Sequence, residues 1–64
     1  MNKHIENALA KPFQKRWFDI TYTDKWRELQ CDREYAYNAQ EARSQAEGHL
    51  AGTGYMSIDK VVAA

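Results

Sequence analysis

A stretch of strictly alternating side chains near the start of the sequence most constrains how this chain folds. Between Trp17 and Tyr22, the apolar residues Phe18 and Ile20 alternate with polar ones. Successive side chains of a strand point to opposite faces. Phe18, Ile20 and Tyr22 therefore share one face, opposite to that of the tryptophan. The pattern predicts a half-buried strand whose second face is open.

A second strand is predicted from about Trp26 to Asp32, joined to the first by a hairpin that turns at Asp24-Lys25. With this turn, the apolar side chains of the two strands meet on one face of the sheet. The expected pairs are Thr23 with Trp26, Thr21 with Glu28, Ile20 with Leu29, and Phe18 with Cys31. Asp-Lys is not a favoured two-residue turn, so a four-residue loop over residues 23–26 is the alternative.

A helix is predicted to begin at Asn38. Glu41 follows three positions later, an arrangement that resembles a capping box in which the asparagine side chain accepts from the amide near Glu41. Small and apolar residues then recur every three or four positions along one stripe: Ala39, Ala42, Ala46, His49 and Leu50. Gly52 and Gly54 mark the end of the helix.

The domain closes with a third strand, predicted from Tyr55 to Val62, in which Met56 and Ile58 alternate with Ser57 and Asp59. A right-handed crossover through the helix lays this strand beside the first, so that the sheet has the order 3-1-2. The sequence therefore predicts an α+β fold of the ββαβ type, with one helix packed on one face of a three-stranded sheet. The expected core is Phe18, Ile20, Leu29, Ala42, Ala46, Leu50 and Ile58.

The chain divides into an N-terminal segment, residues 1–14, and a single domain, residues 15–64. Residues Asn2 to Ala10 are enough for about two helical turns, and Pro12 ends that stretch or makes a turn. A chain of this size buries only about 60% of its unfolded surface. The core of the domain is therefore expected to be thin.

Both tryptophans are expected on the sheet face that the helix leaves open. Trp and Tyr are enriched at the centres of protein interfaces, so this face predicts a recognition surface. The residues predicted to bind a partner are Lys15, Arg16, Trp17, Asp19, Trp26 and Glu28. In one alternative, the N-terminal segment folds back over this face with Ile5, Leu9 and Phe13. In another, a homodimer forms through the face or through an edge strand.

Charge and apolar runs argue against several classes of partner. Nine basic residues balance nine acidic ones, so no net field favours nucleic acid or an anionic membrane. The longest apolar run is far shorter than the ~20 residues that span a bilayer, and the N-terminus lacks the apolar core of a signal peptide. The single cysteine, Cys31, permits no internal disulfide, as expected in a reducing compartment. These features predict a cytoplasmic protein.

The sequence shows no catalytic or cofactor motif. His4 and His49 are its two histidines, and with Cys31 they lack the spacing of a metal-ligand set. His49 is expected to be a core or boundary residue of the helix stripe, and Cys31 a buried thiol. The prediction is a protein without enzymatic activity, cofactor or metal. Nucleic acid stacking on the tryptophans is the alternative, weakened because Asp19 and Glu28 repel phosphates.

Three segments of the chain share their order with a known family. They are Lys15-Arg16-Trp17-Phe18 with the polar hairpin that follows, the helix start Asn38-Ala39-Gln40-Glu41-Ala42, and the closing strand from Tyr55 to Val62. In this order they resemble the small bacteriophage proteins that inhibit host RNA polymerase. The resemblance implies a protein that binds a host complex, RNA polymerase or a defence system, and inhibits it stoichiometrically in the host cytoplasm. The alternative is a nucleic-acid-binding or transcription-regulatory module that uses the aromatic sheet face.

Overall fold

The computed structural model describes residues 14–64 of the chain. In chain order they form strand β1 (Arg16–Thr23), strand β2 (Leu29–Ala36), helix α1 (Ala39–Leu50) and strand β3 (Ser57–Ala63). The helix predicted within residues 2–10, and the N-terminal side chains predicted to cover the sheet, lie outside the described residues. Within residues 14–64, no helix has the length and apolar character that a membrane span requires.

The three strands form one antiparallel sheet in the order β2-β1-β3. Helix α1 connects the two edge strands and packs against one face of the sheet. The predicted α+β fold and strand order are confirmed. The central strand β1 contributes the two largest buried side chains, Phe18 and Ile20, which are 4% and 0% exposed. Its alternating pattern therefore anchors the core as the sequence predicts.

The hairpin between β1 and β2 closes through a three-residue loop. The amide of Asp24 donates to the carbonyl of Glu28 over 2.9 Å, and the loop between them consists of Lys25, Trp26 and Arg27. Arg27 has φ 68°, the left-handed conformation that closes a loop of this length. Both predicted connections, the two-residue turn and the four-residue loop, are wrong.

The longer loop moves the start of β2 from Trp26 to Leu29 and shifts its register. Ile20 pairs with Asp32, three residues beyond its predicted partner Leu29. An odd shift moves every side chain of a strand to the opposite face. Leu29, predicted in the core, is consequently 71% exposed, and Cys31, predicted to be buried, is exposed. The observed pairs are Thr23 with Leu29, Thr21 with Cys31, Ile20 with Asp32, and Phe18 with Glu34.

A small core lies between the sheet and α1. Its buried apolar residues are Phe18, Ile20, Ala36, Ala42, Ala46 and Leu50, with Ile58 and Val61 packed at the margin. Five of the seven predicted core residues are buried, Ile58 is partly buried at the margin, and Leu29 is exposed. Ala36 and the buried Glu34 occupy helix-facing positions of β2 instead. The short alanine side chains of α1 complement the large side chains of β1, as close packing of so thin a core requires.

Both ends of α1 match the sequence prediction. Asn38 Oδ1 accepts a hydrogen bond from the Glu41 amide over 2.8 Å, so the predicted N-cap is confirmed. Glu41 Oε1 in turn accepts from the Tyr37 amide over 2.8 Å. Beyond the helix, Gly52 has φ 91°, a conformation that glycine adopts without a Cβ clash. Local capping chemistry therefore determines where this helix begins and ends.

Candidate interaction surface

Within residues 14–64, the face of the sheet that lies opposite α1 is exposed or partly exposed along its length. We call it the open face. Within the described residues it carries Trp17, Asp19, Thr21, Thr23, Leu29, Cys31, Arg33, Tyr35, Ser57, Asp59, Lys60 and Val62. Four of its large apolar side chains, Trp17, Leu29, Tyr35 and Val62, are between 42% and 71% exposed. The open face therefore combines apolar surface with a mixture of both charges.

An aromatic pair occupies one end of the open face. Trp17 and Tyr35 are register partners on neighbouring strands, and their ring centroids lie 4.9 Å apart with the planes tilted by 44°. The rings are 50% and 48% exposed. The carbonyl of Trp17 accepts a hydrogen bond from the Ala64 amide over 2.9 Å, which ties the backbone below the ring to the C-terminus. The pair thus presents two partly exposed aromatic rings on hydrogen-bonded strands.

Lys15 brings a positive charge to this aromatic pair. Its Nζ lies 5.3 Å from the ring centroid of Tyr37 and 6.0 Å from that of Tyr35. These are cation–π distances, at which the ammonium holds its position over the rings while it still faces water. Lys15, Trp17, Tyr35 and Tyr37 together form what we call the aromatic end of the open face.

An ion pair borders the aromatic end. Arg33 Nε donates to Asp19 Oδ1 over 3.0 Å, and the two residues face each other across β1 and β2. The side chains are 59% and 44% exposed. An exposed pair of this kind contributes only about 0–1 kcal/mol to stability, so either group is able to exchange its partner for a group on a docked protein.

The far end of the open face is held by hydrogen bonds to Asp59. Thr23 Oγ1 donates to Asp59 Oδ2 and Ser57 Oγ donates to Asp59 Oδ1, each over 2.7 Å. The hydrogen bond from Ser57, followed by that from Thr23, lowers the pKa of Asp59. Asp59 is the extra residue of a bulge, because Thr21 pairs with Lys60 and the next residue of β1 pairs with Ile58. At this bulge the Asp59 carboxylate accepts hydrogen bonds from side chains of both β1 and β3.

Trp26 lies at the tip of the hairpin and not on the sheet face, so its predicted position is wrong. It is 70% exposed, and Lys25 Nζ lies 4.7 Å from its ring centroid. At about 3.3 Å per residue along β1, the hairpin tip and Trp17 are roughly 20 Å apart. Glu28, whose carbonyl closes the loop, lies at the same tip. The predicted clustering of these residues with Trp17 is therefore wrong as well.

The Asp24 carboxylate organises this hairpin tip. Its Oδ1 accepts from the amides of Trp26 and Glu28 over 2.9 and 2.8 Å, and its Oδ2 accepts from the Gln30 side chain over 3.0 Å. The hydrogen bond from the Glu28 amide is the largest cause that lowers the pKa of Asp24, with desolvation opposing it. An aspartate with this many donors favours the three-residue loop over the predicted tighter turn.

The predicted binding residues thus separate into three places. Lys15, Trp17 and Asp19 come together at the aromatic end of the open face. Arg16 lies on the helix-facing side, where its guanidinium carbon is 5.8 Å from the Phe18 ring centroid. The remaining two, Trp26 and Glu28, occupy the hairpin tip.

Sequence reasoning missed three residues of the aromatic end and its border: Arg33, Tyr35 and Tyr37. The predicted second strand ended at Asp32, which excluded all of them. A signal was available, since Tyr35 and Tyr37 are aromatic residues of high β propensity spaced by two, immediately after that strand.

A polar cluster lies on the helix-facing side of β2, away from the open face. Glu34 is 4% exposed, and its Oε2 accepts a hydrogen bond from His49 Nδ1 over 2.8 Å. With its amide nitrogen turned toward Glu34, Gln45 donates to Oε1 over 3.3 Å. The hydrogen bond that His49 donates to Glu34, followed by the negative charge of Glu34, raises the pKa of His49. His49, predicted as a core or boundary residue, is exposed, with 69% of its side chain accessible, so that prediction is wrong.

In comparisons with protein families, with curated proteins and with solved structures, nothing matched this chain.

Proposed function

We propose that this chain is a non-enzymatic protein-binding module that docks a partner protein through its open face. The observation that supports this most directly is the half-exposed Trp17–Tyr35 pair. An aromatic side chain buries about 150–250 Å² when fully covered. Two half-exposed rings therefore leave roughly 200 Å² to be covered, equivalent to about 5 kcal/mol at 25 cal/mol/Å². The monomer does not gain this stabilisation, because both rings stay half-exposed.

The surroundings of the pair have the composition of a protein interface. Apolar Leu29 and Val62 extend the contact area along the sheet, at 71% and 42% exposed. Asp19 and Arg33 provide a polar border of both signs. An apolar centre with a hydrogen-bonding rim is the usual anatomy of a docking surface. Nine basic residues balance nine acidic ones, so no net positive field attracts a phosphate backbone, and a protein is the preferred partner class.

The proposed partner is a host protein complex, such as RNA polymerase or a defence system, that this protein inhibits by one-to-one binding. The choice of partner is supported by the resemblance of the segment order to small bacteriophage inhibitors. The proposal further places the protein in the host cytoplasm, encoded by a phage or mobile element.

The proposal is tested by comparing Trp17→Ala with Trp26→Ala. The second variant is the control, because it makes the same substitution at a different place in the fold. Tagged wild-type chain retains its partner from bacterial lysate, and calorimetry with that partner then measures stoichiometry and affinity. Trp17→Ala or Tyr35→Ala is expected to weaken binding by about 2 kcal/mol, close to 30-fold, as for an interface anchor. Trp26→Ala, at the remote hairpin tip, is expected to bind like the wild type.

Several outcomes would contradict the proposal. One is equal binding by the wild type and Trp17→Ala when circular dichroism shows both to be folded. Another is retention of nucleic acid instead of protein, which would favour the stacking alternative through Lys15 and the aromatic pair. A dimer by light scattering that Trp17→Ala converts to monomer would assign the open face to a second copy of this chain.

A further inference from the structure

We propose that Asp32, Glu34 and His49 bind one divalent transition-metal ion, with Zn²⁺ as the best fit. Each residue offers one ligand atom, and these atoms all lie within 4.8 Å of one another. The three residues lie on the helix-facing side of the domain, so the inference is independent of the open face and of the proposed function.

The fold brings these ligands together from two elements. Asp32 and Glu34 are two residues apart on β2, so their side chains share the face that α1 covers. His49 belongs to the last turn of α1 and reaches back to this face, with Nδ1 2.8 Å from Glu34 Oε2. The sequence does not reveal the set, because its members come together only in the register that the structure shows.

Burial differs across the three ligands in the way that an accessible metal site requires. Glu34 is 4% exposed, Asp32 is half-buried, and the His49 side chain is 69% exposed. The buried Glu34 carboxylate lies at the inner end of the cluster, and the His49 imidazole lies at the protein surface. An ion therefore has a path from solvent, and three protein ligands leave a coordination position for water.

The charge of the cluster favours a cation. Two carboxylates face one imidazole, and the cluster lies at the C-terminal end of α1, where the helix dipole is negative. A buried carboxylate is costly unless it is paired. Gln45 and His49 are the groups of α1 that pair with Glu34. A divalent ion would replace the proton that His49 Nδ1 shares with Glu34 and would neutralise Asp32 as well.

Donor type and spacing distinguish between metals. Zn–N and Zn–O bonds are about 2.0–2.2 Å, so two ligand atoms separated by 2.8 Å subtend roughly 85° at the ion, which fits a site with an expanded shell better than a strict tetrahedron. One imidazole nitrogen with two carboxylate oxygens suits Zn²⁺, whereas Mg²⁺ and Ca²⁺ prefer oxygen ligands throughout.

The test is calorimetric titration of the EDTA-treated full chain with ZnCl₂ at about pH 8, above the ordinary histidine pKa of about 6.5. One Zn²⁺ is expected per chain. Asp32→Asn and His49→Ala are each expected to weaken Zn²⁺ affinity at least tenfold, since even the loss of an outer-shell partner costs about 10–100-fold. Both changes affect residues at least partly exposed, so they keep the test valid where Glu34→Gln fails to fold.

His4→Ala and Cys31→Ser are matched controls, because they remove the other histidine and the exposed thiol. Unchanged Zn²⁺ affinity in both controls, with loss in Asp32→Asn and His49→Ala, supports the site. Loss of affinity in either control overturns it, as does wild-type affinity in the two ligand variants or the absence of binding across the ZnCl₂ titration. Equal affinity for Mg²⁺ would overturn the assignment to a transition metal.

Discussion

Truncation of Ile20 and of Leu29 tests the observed register of the hairpin. Ile20 is fully buried on the central strand. Ile20→Ala removes three carbons, which at about 0.8 kcal/mol each amounts to roughly 2.4 kcal/mol before any cavity cost. With the cavity included, the loss is expected to be about 2–5 kcal/mol. A small domain is stable by only about 5–15 kcal/mol, so this loss is a large share of the total.

Leu29→Ala is the matched change on the paired strand. Leu29 is 71% exposed on the open face, so the substitution is expected to cost at most about 0.5 kcal/mol. In the register with a two-residue turn, Leu29 would instead oppose Ile20 in the core. The two substitutions would then be similarly destabilising. The difference between the two losses of stability therefore distinguishes the three-residue loop from the two-residue turn.

Urea unfolding followed by circular dichroism measures both values, with an unchanged m value as the check that the transition remains comparable. The observed register is refuted if the loss of stability in Leu29→Ala comes within about 0.5 kcal/mol of that in Ile20→Ala. That outcome would mean that Leu29 lies in the core and that Cys31 faces inward.

Three further predictions concern the helix and the hairpin loop. Asn38→Ala is expected to lower the free energy of unfolding by about 1 kcal/mol in urea melts, and Asn38→Asp to leave it nearly unchanged, because either side chain accepts from the Glu41 amide. Gly48→Ala is expected to stabilise the protein by about 0.5–1 kcal/mol in the same melts, since a Cβ at this helical position meets nothing within 4 Å. The hydrogen bonds that lower the pKa of Asp24 contribute stability above the unfolded pKa and lose it as the pH falls through the folded pKa. The melting temperature of Asp24→Asn is therefore expected to lie below that of the wild type at pH 7 and to converge with it below about pH 4, the ordinary aspartate range; a constant gap would contradict this.

The candidate surface was only partly predictable from the sequence. The position of Trp17 follows from strand alternation alone, which is local and independent of the partner strand. Tyr35 joins it only because the register places these two residues opposite each other. The position of Trp26 depends on where the hairpin turns, and an error of three residues there moves a residue from the sheet face to the loop tip.

The sequence by itself determined the element order, the faces of β1 and the start of α1. Each of these follows from interactions within a few residues, such as side-chain alternation or the Asn38 cap. Only the tertiary structure decided the faces of β2. Its apolar pattern favours an inward Leu29, but the pairing of β1 with β2 places Leu29 opposite Thr23 and leaves a three-residue loop between Asp24 and Glu28. The side-chain period of a strand is two, so that loop turns Leu29 outward and places Glu34 beneath α1, within reach of His49.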